Sequence, residues 1–224
     1  MAKINSYEQN KITENSVIDF LLKFCYPKLF DKAERMQDTE CQLKGVDIIA
    51  CKDNKEESHN VKSQCSARYV NHPVSSFAHE ILASNKKEEH LGWNIKKNDA
   101  QTYVYCWVCK SDTNEAKQII SSDSIYDVEV MFVDKSSLEK YLNDIGATKE
   151  ALLERARYMV KVPIYRTLPI SDTADTDEMY LSFSDDLREK SINLIIKKRL
   201  LKRFAYKHVR VTQNSIIDID NNVI

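Results

Sequence analysis

Two segments decide how the chain is read: Gln42-Leu43-Lys44-Gly45-Val46-Asp47-Ile48-Ile49-Ala50 and His59-Asn60-Val61-Lys62-Ser63-Gln64, with the polar stretch Lys52 to Ser58 between them. Val46 to Ala50 is a short β-type run, and the second segment is another, so a hairpin with a charged turn is expected. Side chains alternate along a strand, which sets positions 60, 62 and 64 on one face. The hairpin can then bring Asp47, Asn60, Lys62 and Gln64 to one spot. That set is an acid, an amide, an ammonium and a second amide, all costly to bury unless they are satisfied. Metal-assisted phosphodiester cleavage needs such groups. Carboxylate oxygens hold Mg²⁺, and a lysine beside it orients or deprotonates water and stabilises transition-state charge.

Working outward, Asn10 to Arg35 predicts one helix or a pair, from the spacing of Ile12, Val17, Ile18, Leu21, Leu22 and Phe24. Thr13 reads as its N-cap, Glu14 as a first-turn residue, and Pro27 as a stop or bend. The helical pattern continues through Leu29, Phe30 and Ala33. Further strands are expected at Phe77 to Leu82, Gly92 to Ile95, Tyr103 to Cys109 and Val128 to Val133. Helices follow at Ser136 to Leu142, ending at Gly146, and from Thr148 as cap. Pro163 and Pro169 bracket an extended piece, and Ile170 to Glu178 reads as an exposed acidic loop. Asp186 to Phe204 predicts a long helix, and the last dozen residues a tail.

Composition narrows the function. In 224 residues, 33 Lys+Arg against 34 Asp+Glu leave a net charge of -1, so any polyanionic partner must meet a local patch. The 3 glycines cannot supply a dinucleotide fingerprint or a phosphate-cradling loop, and no G-x-S-x-G elbow occurs. Neither a signal peptide nor a membrane span is legible, so a cytoplasmic protein without a membrane partner is expected. The 6 cysteines fit reduced thiols serving as small hydrophobes. Cys106 and Cys109 have ligand-like spacing, but they lie on a strand and point to opposite faces, so a zinc site is not the reading.

The hairpin residues resemble the PD-(D/E)xK nuclease superfamily, which places an Asp on one strand and (D/E)-x-K on the next. The likeness extends through Phe77-Ala78-His79-Glu80-Ile81, Gly92-Trp93 and Tyr103-Val104-Tyr105, over roughly residues 10 to 145, to a bacterial and phage group of restriction-endonuclease-like proteins. It implies a mixed central sheet flanked by helices and Mg²⁺ (or Mn²⁺) dependent cleavage of DNA. On that likeness Glu14, Asp47 and Asn60 are the metal residues. Lys62 acts on the water, and Gln64 touches water or phosphate. The pattern departs at Asn60, where the superfamily has an acid. Three explanations stand: a binding-only relative, a second carboxylate supplied by Glu57 or Glu80, or an introduced replacement. Restoring Asp at this position is expected to raise metal affinity.

A second constellation is the basic run Lys197, Lys198, Arg199, Lys202 and Arg203, read as one face of an amphipathic helix that binds nucleic acid. A solvated face balancing the acidic loop is the plainer account. The fold expectation is α/β: a restriction-endonuclease-like core over residues 1–135 and a helical extension with the basic helix and a tail over 136–224. The alternative function is a catalytically dead nucleic-acid-binding or protein-interaction module.

Overall fold

The first helix, α1 (Ser6–Phe24), buries Val17, Ile18, Phe20 and Leu21 along one stripe. It begins well before Thr13, which is a buried mid-helix residue rather than a cap. Pro27 lies in the first turn of α2 (Tyr26–Leu29), where a missing N–H costs nothing. The helical pattern does not continue: β1 (Lys32–Arg35) follows, then the short α3 (Thr39–Leu43). The hairpin is present as β2 (Ile48–Lys52) and β3 (Lys55–Ser63). Its turn is tighter than the polar stretch suggests, because Asp53 and Asn54 both take positive φ (51° and 60°), as two-residue hairpin loops require.

The computed structural model describes residues 6–64, 69–84, 88–112, 121–162, 166–171, 175, 177–184 and 190–220. Cys65, Pro163, Asp172 and the segment 185–189 lie outside the described residues.

Next come β4 (Ser76–Ser84), β5 (Glu89–Leu91), β6 (Thr102–Ser111) and β7 (Ile125–Asp134). The strand expected at Gly92 to Ile95 is instead a turn after β5, and Gly92 sits against the Glu80 carbonyl where a Cβ would clash. Helices α4 (Lys135–Asp144) and α5 (Lys149–Lys161) follow as expected. Gly146 takes φ +78° after the first, and the Thr148 hydroxyl caps the second by accepting from the Ala151 N–H. The chain ends with β8 (Thr167–Leu168), β9 (Met179–Ser184), β10 (Lys190–Lys197), α6 (Lys198–Leu201), a 3-10 turn at Lys202–Phe204, β11 (Ala205–Thr212) and β12 (Ile216–Asp218).

The α/β class stands, with a mixed sheet flanked by helices. The C-terminal extension is helical in α4 and α5 and mostly strand after them. The described part of Asp186 to Phe204 is mostly strand, because Ile192, Leu194 and Ile196 are buried in alternation with half-buried Asn193 and Ile195. Nor is the described part of the last dozen residues a tail: β12 pairs with β11, burying Ile216.

Two units are built from interleaved segments. The first holds Met1–Val74, Ala100–Asp134 and Ala205–Ile224, the second Ser75–Asp99 and Lys135–Phe204. The first unit carries a seven-stranded sheet in the order β1-β2-β3-β6-β7-β11-β12. Among the described residues its only parallel pair is β3 with β6. Val61, Val104, Cys106, Val130 and Phe132 from this sheet pack with the apolar stripe of α1. The second unit carries an antiparallel sheet in the order β5-β4-β10-β9-β8. Among the described residues no helix is long and apolar enough to cross a membrane.

Candidate active site

The candidate residues meet where β3 outruns its neighbour. β2 starts at Ile48, which is in register with His59, and the Asp47 N–H also donates to the His59 carbonyl (2.9 Å). Beyond His59 the backbone of β3 therefore has no β2 residue beside it. The N–H groups of Val61 and Ser63 point to that open edge, because odd-numbered residues face β2 while Gln64 donates to Cys106 in β6. Buried N–H groups must find acceptors. Here a carboxylate supplies one: Val61 donates to Asp47 Oδ2 (2.7 Å), and the Ser63 N–H lies close enough to Glu14 of α1 to favour its charged form.

Lys62 lies between those two amides, with Nζ 4.0 Å from Glu14 Oε1. Its charge also acts on Asp47, and Arg35 of β1 adds a weaker positive field there. Arg35 in turn fixes α1 over the site, donating to Asp19 and Asn15 at 2.7 Å each. Burial pushes the carboxyls of both Glu14 and Asp47 above their ordinary values. For Glu14 the nearby charge of Asp47 adds to the rise, against Lys62, Lys11 and the Ser63 N–H. Two carboxylates have thus been placed side by side and partly desolvated, an arrangement that favours a proton or a cation between them.

Asn60 is 3% exposed. Its Nδ2 donates to the Gly45 carbonyl, while its Oδ1 has no hydrogen-bond partner among the described residues. Gln64 is not in the site. Its side-chain amide brackets Val74, accepting from the Val74 N–H (3.2 Å) and donating to the Val74 carbonyl (3.4 Å), so it holds a loop instead of contacting water or phosphate.

The donor set fits a hard dication in kind: two carboxylates whose charge is unfavourably buried, and a neutral amide oxygen lacking a partner. Among the described residues there is no group of three or more His, Cys, Asp or Glu able to hold a metal, so a third donor here would have to be a neutral one such as Asn60. Glu57 does not replace it. Glu57 lies toward the other end of β3, bonded to Thr102 and to the Tyr206 hydroxyl (2.6 Å). Glu80 is on β4, in the second unit.

The basic run is not a helix face. Lys197 ends β10 with its ammonium 5.9 Å from the centre of the Tyr180 ring. Lys198 and Arg199 lie in the single turn of α6, and Lys202 and Arg203 in the 3-10 turn after it. Arg199 and Arg203 both reach Glu178, at 3.3 and 2.8 Å. The Glu178 side chain is only 7% exposed, so the acidic segment read as an exposed loop ends in a buried carboxylate between two arginines. The sequence signal for this was the pairing of an acidic segment with a basic one.

Compared with known proteins, the chain matches no family model, no curated protein and no solved structure.

Proposed function

We propose that the protein is a Mg²⁺-dependent phosphodiesterase of the PD-(D/E)xK type, acting on DNA. The observation that supports this best is the meeting of Glu14, Asp47 and Lys62 on the open edge of β3. Glu14 and Asp47 are the charged metal residues and Asn60 Oδ1 the neutral one. A dication bound there supplies positive charge to the scissile phosphate. The chain's own groups do the rest. Lys62 carries a positive charge that can orient a water and offset the charge gained by the phosphate oxygens. The raised carboxyls of Glu14 and Asp47 mark negative charge held unfavourably at the site, which a bound dication would relieve.

Five cysteines among the described residues are free, which agrees with a cytoplasmic setting. The basic run contributes little to this reading, since Arg199 and Arg203 are engaged by Glu178. A second reading has one observation in its favour. The site holds two carboxylates and an amide where the superfamily has another acid, which fits a silent DNA-binding or protein-interaction relative.

Cleavage of single- and double-stranded DNA with Mg²⁺ or Mn²⁺ separates the two. Activity is expected, abolished by chelator, and reduced about 10²-fold or more by Glu14→Gln, Asp47→Asn or Lys62→Ala. No cleavage of either substrate with either metal favours the silent relative.

A further inference from the structure

We propose that Asn60 is a positioning residue: its amide nitrogen clamps the Gly45 carbonyl and so holds the turn that delivers Asp47. An amide is then required at this position, and a carboxylate does not serve there. The inference rests on the metal-site reading of Asp47, and it reverses the expectation that an acid at position 60 improves the site.

The turn is also held by backbone bonds, among them one from the Met36 N–H to the Asp47 carbonyl (2.8 Å). α3 is a five-residue helix, and its last carbonyls are taken up as the Gly45 N–H donates to Gln42 (3.1 Å) and the Val46 N–H to Cys41 (2.9 Å). Gly45 then reverses the chain at φ +69°, a conformation that glycine adopts without strain. Its own carbonyl would be left without a partner by this reversal. Asn60 supplies one from β3 across the hairpin. Two residues on, the chain makes its next contacts with β3: the Asp47 N–H to His59, and Asp47 Oδ2 from the Val61 N–H. Asn60 thus ties down the near side of a loop whose far side is Asp47.

Chemistry distinguishes the amide from the acid. The Asn60 side chain donates with one end and offers an oxygen with the other. A carboxylate at the same place has no proton to donate. It would set an anionic oxygen against the Gly45 carbonyl oxygen, in a position that is 3% exposed and so poorly screened. The added negative charge would draw a cation, yet the repulsion would push away the turn that carries the stronger ligand.

The test compares wild type with Asn60→Asp, Asn60→Ser and Asp47→Asn. It reads amide hydrogen exchange at Val61 and Mn²⁺ binding by calorimetry, with Mn²⁺ alone as the probe. In Asn60→Asp, Val61 exchange is expected to rise about tenfold or more while amides of β6 hold their rates, which marks local rather than global opening. Mn²⁺ binding is expected to weaken by about tenfold or more, equivalent to about 1.4 kcal/mol, despite the extra charge. Asn60→Ser, whose hydroxyl still donates, is expected to lie between the two. Tighter Mn²⁺ binding in Asn60→Asp with Val61 still protected overturns the clamp and makes position 60 simply a ligand position. If wild type and Asp47→Asn show the same weak Mn²⁺ binding, the metal-site reading fails separately. Val61 exchange in Asn60→Asp then decides the clamp alone: faster exchange supports it and unchanged exchange overturns it.

Discussion

Two glutamates bonded near β3 are driven in opposite directions. Burial pushes Glu14 up, and the two positive charges and one N–H beside it do not bring it back. Burial also acts to raise Glu57, but the His59 imidazole and the hydroxyls of Thr102 and Tyr206 outweigh it and hold the carboxyl down to about 2. His59 explains part of the difference. It is fully buried among the rings of Tyr26, Phe30 and Phe132, with Nδ1 2.8 Å from the Tyr26 hydroxyl. Its Nε2 faces Glu57 Oε1 at 3.4 Å, too poorly aligned for a proper hydrogen bond. Glu57 therefore sits among groups that favour its charge, and Glu14 in a setting that opposes it. The unfolded chain takes up its Glu57 proton near the ordinary value of 4.5, the folded protein only near 2. Charged Glu57 therefore stabilises the fold above about pH 4.5, and that contribution is lost as pH falls toward 2. Glu57→Gln is expected to cost about 1 kcal/mol at neutral pH after allowance for screening, with the difference from wild type closing through that acid window. Urea unfolding of both proteins between pH 7 and pH 2 measures it.

At the scale of elements, β10 shows why some structure was legible and some was not. β6 was plain because a strand covered on both faces is apolar throughout, and Tyr103 to Val108 are all buried. α5 was plain because Thr148 supplies its cap. In β10 the apolar positions 192, 194, 195 and 196 satisfy two periods at once. Ile192, Ile195 and Ile196 have helical spacing, while Ile192, Leu194 and Ile196 have strand spacing. The decision comes from β4 and β9, which flank this segment and take up its backbone on both sides, and no local pattern announces that. The candidate site divides the same way. Asp47 and Lys62 were legible from residue type and strand alternation. The open N–H groups of Val61 and Ser63 depend on where β2 starts, and the bond from Asn60 depends on where the Gly45 carbonyl points. Both are facts of three-dimensional packing. The two readings of β10 part at Leu194, which is fully buried, and Ile195, which is half-buried. Leu194→Ala is expected to cost about 2–5 kcal/mol and Ile195→Ala clearly less, by thermal or urea unfolding. Equal costs, or the reverse order, would return the segment to a helix.

Across the whole molecule, the chain passes between its two units after Val74, Asp99, Asp134 and Phe204, so neither unit is a continuous stretch of sequence. The seven-stranded sheet shows the consequence most clearly. Its strands β11 and β12 come from the last twenty residues of the first unit's chain, and β11 pairs with β7 from Val133 to Asp127. A fragment ending at Lys135 would keep Glu14, Asp47, Asn60 and Lys62 but leave β7 as a bare edge of apolar residues, a template for intermolecular pairing. It would also lose Val209, Val211 and Ile216 from the core shared with α1. At about 1.5–3 kcal/mol for each buried aliphatic side chain, that removes roughly 5–9 kcal/mol, comparable to the whole stability of an ordinary domain. The second unit's β4 would lose β10, its partner over eight residue pairs. Residues 1–135 are therefore expected to aggregate on expression, or to remain soluble only as an expanded state with no cooperative unfolding transition. Circular dichroism melts and size-exclusion chromatography of that fragment beside the full chain provide the check. A monomeric fragment that unfolds cooperatively would mean that β11 and β12 are accessories to a sheet that closes without them.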